Sequence, residues 1–375
     1  MKILFFANTD WYLYHFRLDL ARYFQAQGLE VVLMSPPGDY AQCFIDNGFR
    51  WLAVPMNRRS LNPFRELGLL KHIAAIYQQE APDAVLHFTL KPVLYGGLAA
   101  QIAGIQHRIH AVTGLGHVFI NPSLKARILR PVVQCLLRLA LRGKSSRLIV
   151  QNPDDQRFFL DRCFLPPEQI HLIRGSGVDT EFFTPEQQQR HEKFRVLLAA
   201  RLLREKGIKE YAEAAALLAH RANEIEFLLA GAADPGNPSS ITKAEMRQWQ
   251  ASGQLNLLGQ VENMRQLLSE VDLMVLPSWR EGVPRSLLEA ASMALPLVAT
   301  DVPGCREIVE DGRNGFLVPK GNAAALAAKI EYLLDHPELC SQFGKAGREK
   351  AVQAFDRSIV CCQTWDVCRA LGLGC

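Results

Sequence analysis

The sequence predicts an α/β protein built from two parallel-sheet domains. Three observations predict it: short apolar runs alternate with helical segments from the first residues onward, the alternation restarts after a polar stretch at 184–193, and 375 residues exceed what one core comfortably fills. Hydrophobic residues make up 49% and charged residues 21%, enough for sizeable cores with little left for disordered tails. A net charge of +4 is too mild to imply nucleic acid, and no arginine-rich tail or zinc-finger spacing accompanies it. Nine cysteines without Cys-x-x-Cys spacing read as reduced cytosolic thiols. The opening apolar run is too short for a signal-peptide core, and no stretch of about twenty apolar residues occurs, so no membrane span is expected.

Lys2 to Ala7 as strand, Tyr14 to Gln27 as helix and Glu30 to Met34 as strand form the first β-α-β unit. The intervening loop, Asn8 to Arg17, leaves the carboxyl end of a strand, where open α/β sheets bind ligands. Asn8, His15 and Arg17 are therefore site candidates, while Trp11, Tyr12 and Tyr14 read equally well as cover for the sheet edge. Strands over Phe49–Pro55 and Ala84–Phe88 follow, with a helix over Pro63–Gln79 between them. Lys91, at a strand end close to a helix start, suits a phosphate, although a lone lysine is more often simply solvated. After a strand over Arg108–Val112, Thr113-Gly114-Leu115-Gly116-His117 carries two glycines that permit close backbone approach to a ligand. The Gly-x-Gly-x-x-Gly of dinucleotide folds is absent, which argues against an oxidoreductase. From Leu124 to Leu141 apolar residues recur at helical spacing, and the basic residues of 124–147 fit either an interfacial helix on anionic lipid or a packed helix with a solvated face. Pro131 weakens that helix.

In the second half, Phe194–Ala199 is a strand, 201–207 a loop and Ile208–His220 a helix. Arg201 and Lys206 flank this domain's first strand end, and two fixed cations near a helix start suit a diphosphate. Leu255–Leu258 feeds Gly259-Gln260-Val261 on the same side. The stretch the chain is organised around is Trp279 to Ala290. A buried strand stopped by Pro277 precedes it and a helix from Ser286 follows, which puts Glu281 in a strand-to-helix loop and Glu289 about two turns along the helix. Backbone amides near Gly282, Val283 and Pro284, at a helix start, suit a phosphate or sugar hydroxyl. Taken alone, such an acidic pair is more often merely solvated.

Arg201 with Lys206, Glu281 with Glu289, and Pro303-Gly304-Cys305-Arg306-Glu307 followed by Asn314-Gly315-Phe316 together resemble a retaining family-four glycosyltransferase of GT-B architecture, across nearly the whole chain. The resemblance implies two Rossmann-like domains with parallel sheets facing across a cleft. Residues 1–183 would form the acceptor-binding domain and 184–355 the nucleotide-sugar domain, with a helix over 356–375 returning to the first. It implies that Arg201 and Lys206 bind the donor diphosphate and stabilise its departing charge, so that neither metal nor cofactor is needed. Glu289 would hold the ribose and Glu281 donor-sugar hydroxyls, orienting rather than attacking. Gly282, Val283 and Pro284 would seat sugar and phosphate, with the base near Gly259 to Val261.

Arg59-Ser60-Leu61-Asn62-Pro63, His87-Phe88-Thr89-Leu90-Lys91-Pro92 with Tyr95-Gly96, and Val112 to Gly116 look like members that assemble surface polysaccharide or protein-linked glycans on a polyprenyl diphosphate. The implied partners are a UDP-sugar, a polyprenyl diphosphate-linked saccharide and, through 124–147, the inner face of the cytoplasmic membrane; no nucleic acid is expected. Asn8, His15, Arg17, Lys91, Gly114, Gly116 and His117 are the acceptor-side candidates. The sequence departs from the family where Asn8-Thr9-Asp10-Trp11 replaces a glycine pair, where Gly114 stands near a common histidine, and at Ala294. The alternatives are a soluble acceptor, or donor binding or hydrolysis without transfer.

Overall fold

The computed structural model describes every residue except 58–59, 61, 115–118, 120–123, 186–190, 235–236 and 375. The acceptor-side candidates Gly116 and His117, with Arg59 and Leu61, lie outside the described residues. The chain forms two compact units, Met1–Ser176 with Val360–Cys375, and Gly177–Ile359. Residues 177–183, counted with the first domain from sequence, lie in the second unit. The Val178 amide donates to the Phe355 carbonyl at 2.9 Å, and the Phe183 side chain is buried in the second core.

In the first unit, strands β1 (Lys2–Phe6), β2 (Glu30–Ser35), β3 (Arg50–Ala53), β4 (Ala84–Phe88), β5 (His107–Val112), β6 (Ser146–Val150) and β7 (Ile170–Leu172) pair in the order β3-β2-β1-β4-β5-β6-β7. Every pairing is parallel. Helices cover both faces, so the central strands are continuous apolar runs: Ile3, Leu4, Phe5 and Phe6 are fully buried. The last helix, Arg357–Arg369, sends Trp365 edge-on to Phe24 with ring centroids 5.1 Å apart, closing this core.

The second unit repeats the plan with β8 (Phe194–Ala199), β9 (Ile225–Ala230), β10 (Asn256–Gly259), β11 (Leu273–Leu276), β12 (Leu297–Thr300) and β13 (Gly315–Val318), in the order β10-β9-β8-β11-β12-β13. Each sheet reverses its order beside its first strand, where β1 lies between β2 and β4, and β8 between β9 and β11. At such a reversal the connections leave toward opposite faces and open a crevice at the carboxyl ends of the two central strands. The exits of β1 and β4, and of β8 and β11, are therefore the positions the topology offers to ligands.

Three helices differ most from the sequence reading, and one of them is the last, which runs Arg357–Arg369 and not over 356–375. The first helix starts at Asp10, because the Thr9 hydroxyl accepts the Tyr12 amide at 3.0 Å, so His15 and Arg17 stand on a helix rather than in a loop. The helix from Ile208 ends at Leu217, and a 3-10 turn over Ala219–Arg221 completes the segment. No described helix is long and apolar enough to cross a membrane.

Candidate active site

At the second unit's reversal, β8 exits into Arg201 to Leu203, and a 3-10 turn over Arg204–Lys206 leads through Gly207 into the helix Ile208–Leu217. The neighbouring strand β11 exits through Pro277, Ser278 and Trp279 to Glu281. Adjacent strand ends thus deliver Lys206 and Glu281 to one place. Lys206 Nζ donates to Glu281 Oε1 at 2.5 Å, and Ser278 Oγ lies 2.6 Å from the same oxygen. Both side chains are mostly buried, at 19% and 10% exposure. The turn carrying Lys206 is tied to the loop carrying Glu281, since the Glu205 carbonyl accepts the Trp279 amide at 2.8 Å and the Trp279 indole N–H donates to Glu210 at 2.9 Å. Thr300 on β12 donates to the Ser278 carbonyl.

Two glycines make this geometry possible. At Gly207, φ is +72° and an added Cβ would stand 2.0 Å from the Pro277 carbonyl oxygen. At Gly304, φ is +83° and a Cβ would stand 2.0 Å from the Gly282 carbonyl oxygen. Neither site admits a side chain without moving backbone, so the loop after β12 supports Glu281 and Gly282 from below. Cys305 beside it is fully buried, and burial followed by the Glu281 charge pushes its thiol far above the ordinary range, leaving it an inert packing group.

Glu289 lies on the helix Arg285–Ser292 and is buried. Its carboxylate accepts from Arg285 Nε at 2.7 Å, one helical turn away. Burial raises its pKa above the usual carboxylate value, and Arg285 partly offsets this. Pro284 at the N-cap supplies no side-chain acceptor, so no cap side chain occupies the first-turn amides and the helix's positive end. Arg201 is exposed and pairs with Asp234 at 3.5 Å. Gly259 ends β10 and its carbonyl accepts the Gly231 amide at 2.7 Å, while Val261 and Val283 pack against the core below. Ser278, Arg285, Glu205 and Glu210 were not singled out from sequence; only the i, i+4 spacing of Arg285 and Glu289 carried a signal.

The first unit's reversal is built differently. Asn8 is half-buried at the end of β1, and Asp10 is committed to structure, its carboxylate accepting the Trp11 and Tyr40 amides, each at 2.8 Å. Arg17 is buried, donates twice to the Tyr12 hydroxyl at 3.0 and 2.8 Å, and lies 4.6 Å from the centre of the Phe88 ring. His15 is ringed by Trp11, Tyr14 and Tyr40. Lys91 Nζ donates to the Asn57 carbonyl at 2.7 Å, the Ser60 carbonyl at 3.2 Å and Glu66 Oε1 at 2.9 Å, which uses all three ammonium protons. Gly114 has φ +138° at the exit of β5. Behind these groups His87 and His110 are fully buried, their Nδ1 atoms 3.1 Å apart, with the Tyr77 hydroxyl 2.9 Å from His87 Nε2.

Comparisons with known proteins agree with this division. Residues 179–350 match the family described as glycosyl transferases group 1, and residues 2–152 the family described as glycosyl transferase 4-like. The chain is 30% identical over 372 residues, covering 96% of both chains, to N,N'-diacetylbacillosaminyl-diphospho-undecaprenol alpha-1,3-N-acetylgalactosaminyltransferase of Campylobacter jejuni. It is 25% identical, covering 84% of this chain and 82% of the other, to UDP-Gal:alpha-D-GlcNAc-diphosphoundecaprenol alpha-1,3-galactosyltransferase of Escherichia coli. Among solved structures, sucrose-phosphate synthase from Thermosynechococcus elongatus superposes with a TM-score of 0.82 at 20% identity over 100% of both chains.

Proposed function

The chain belongs to the group 1 glycosyl transferases and has the GT-B fold, and from that premise we propose that it moves a hexose or N-acetylhexosamine from a UDP-sugar to a saccharide carried on polyprenyl diphosphate. The transfer retains the anomeric configuration and needs no metal. The observation that carries this reading is the Lys206–Glu281 pair, held by Ser278 at the carboxyl ends of β8 and β11. A cation fixed there suits the diphosphate that accumulates charge as the sugar leaves, and the carboxylate suits hydroxyls of the sugar itself. The names of the two relatives above, both acting on undecaprenyl diphosphate sugars, support the acceptor class.

In this reading the acceptor hydroxyl attacks the anomeric carbon on the face the diphosphate leaves. The bond from that carbon to the phosphate oxygen breaks as the new glycosidic bond forms, and the acceptor proton passes to the departing phosphate. Lys206 and Arg201 neutralise the leaving group, the latter after releasing Asp234. Glu281 orients the sugar, Glu289 takes the ribose, Gly282, Val283 and Pro284 seat the sugar and phosphate, and the base lies by Gly259 and Val261. The protein docks on the inner face of the cytoplasmic membrane through the helix Leu124–Leu141. This helix leaves Ile128, Val132 and Leu139 exposed beside Arg127, Arg138 and Arg142, an apolar stripe flanked by cations.

The test is turnover of UDP-galactose, UDP-N-acetylgalactosamine and other UDP-sugars, in EDTA, with undecaprenyl diphosphate-linked N-acetylglucosamine or N,N'-diacetylbacillosamine. Acceptor-dependent release of UDP with an α-linked product supports the reading. A β-linked product overturns retention, loss of activity in EDTA overturns metal independence, and equal release of sugar without acceptor identifies a hydrolase.

A further inference from the structure

Ser278 Oγ lies 2.6 Å from Glu281 Oε1 and 3.0 Å from the Glu205 carbonyl oxygen. A serine hydroxyl carries one proton, and both neighbours are acceptors, so it can serve only one of them fully. The Glu205 carbonyl does not depend on it, because that oxygen also accepts the Trp279 amide at 2.8 Å. Glu281 is in the opposite position. Its Oε1 is shared with Lys206 Nζ, which the proposed reaction draws toward the departing diphosphate. A carboxylate only 10% exposed that loses its cation is destabilised unless another donor takes over. Ser278 is already within reach and is held in place. It is fully buried, the Thr300 hydroxyl donates to its carbonyl, and Trp279 beside it is tied to Glu205 and Glu210.

From this we infer that Ser278 is a positioning residue that takes over Glu281 when the donor's diphosphate takes Lys206. Before the nucleotide arrives, the Ser278 proton is divided between Glu205 and Glu281, and Lys206 balances the carboxylate's charge. Once Lys206 turns to the phosphates, the proton commits to Glu281, which keeps its place beside the sugar. Ser278 thereby lowers the cost of releasing Lys206, so part of the affinity for the diphosphate is set by a hydroxyl that does not touch it. The inference rests on the transferase reading above and deepens its donor site.

The test is a double-mutant cycle on UDP binding, with no acceptor and no turnover. Ser278→Ala removes the donor that replaces Lys206 and raises the UDP Kd about 3- to 10-fold. That is less than a whole hydrogen bond to a charged group, because the bond exists in part before UDP arrives. Glu281→Gln removes the charge that holds Lys206, and the Kd falls below that of the wild type. In the Glu281→Gln background, Ser278→Ala changes the UDP Kd by less than about twofold, within the additivity of uncoupled changes, because the hydroxyl acts only through the carboxylate. Uridine, without phosphates to draw Lys206, binds every member of the cycle alike. Calorimetry reads the UDP values and NMR titration those of uridine. An equal loss of UDP affinity in both backgrounds overturns the inference, since Ser278 would then act through Glu205 as a brace of the loop. A Kd that is unchanged in Ser278→Ala, or that does not fall in Glu281→Gln, overturns it as well, since Lys206 would then hold Glu281 and the phosphate together with its three protons. So does a uridine Kd that moves with that of UDP. If the wild type itself binds no UDP, the functional reading fails first and the inference with it.

Discussion

The two units wind their sheets the same way, yet they fill the point of reversal differently. In the second unit the exits of β8 and β11 bring one lysine and one glutamate together, on loops locked by Gly207 and Gly304, and leave their charges for a ligand to redistribute. In the first unit the matching exits, β1 and β4, carry charges that the fold consumes: Arg17 on Tyr12 and Phe88, Asp10 on two amides, Lys91 on two carbonyls and Glu66. Topology alone therefore identifies two candidate crevices, and hydrogen-bond bookkeeping separates the one that keeps a lysine–glutamate pair at its strand ends from the one whose charged groups are engaged by the fold. A lysine at a strand end is a ligand contact only when its protons are unspent.

The sharpest way to break this comparison is to apply one change at both points. Lys206→Met removes the cation we propose to face the departing diphosphate, and kcat is expected to fall about 10²- to 10³-fold, as when a single electrostatic donor is lost from an active site. Thermal unfolding midpoints and the wild-type rate under identical UDP-sugar conditions provide the check. Lys91→Met leaves Glu66 buried and unpaired, so stability falls by about 3 kcal/mol, read from denaturant midpoints, while UDP binding is unchanged. Equal losses of turnover without a stability difference would erase the distinction between the two points.

A smaller effect separates the units by pH. Burial holds His87 well below its ordinary pKa, with the His110 and Arg108 charges adding to it, and holds His110 at about 3. In the unfolded chain both titrate near 6.5. Below that pH the unfolded state binds more protons than the folded one, so stability is fully present above about 6.5 and declines as pH falls, by up to about 1.4 kcal/mol per pH unit for each histidine. Denaturation at pH 7.5 and 5.5 should show this decline in the wild type and a flatter profile in a His87→Phe, His110→Leu variant. Among the described residues the second unit's histidines, His191, His220 and His336, are not buried, so hydrogen exchange at pH 5.5 should accelerate first in the first unit.

Much of this was legible in the sequence, for identifiable reasons. Most strands are short apolar runs, as strands buried on both faces must be, and β11 is stopped by Pro277, so the β-α-β rhythm and the strand-to-helix position of Glu281 could be read from residues alone. The first helix start was misplaced because the aromatic run Trp11 to Phe16 hides the cap at Thr9. The pairing of Lys206 with Glu281 spans 75 residues and depends on β8 lying beside β11, which no local pattern encodes. Resemblance supplied the role, and strand order supplied the proximity. Lys91 shows the converse, since its proximity to a strand end was read correctly, but its three partners come from a different segment, 57–66, and make it a strut.

The mildest test concerns Glu289, where burial and Arg285 act in opposite directions. Burial raises the carboxyl pKa and Arg285 lowers it through a hydrogen bond at 2.7 Å. Arg285→Gln removes the lowering influence, so the carboxyl retains its proton to a higher pH. If ribose hydroxyls require the carboxylate as acceptor, the acid limb of UDP binding moves to higher pH in this variant. The affinity above that limb changes less than tenfold, in keeping with one partly exposed ion pair worth about 1 kcal/mol. Calorimetric titration of UDP between pH 5 and 8 reads both quantities. An acid limb that stays in place would detach Glu289 from the nucleotide and leave it as a packing residue of the second core. The second unit's reversal would then act without Glu289, through Lys206, Glu281 and the groups around them.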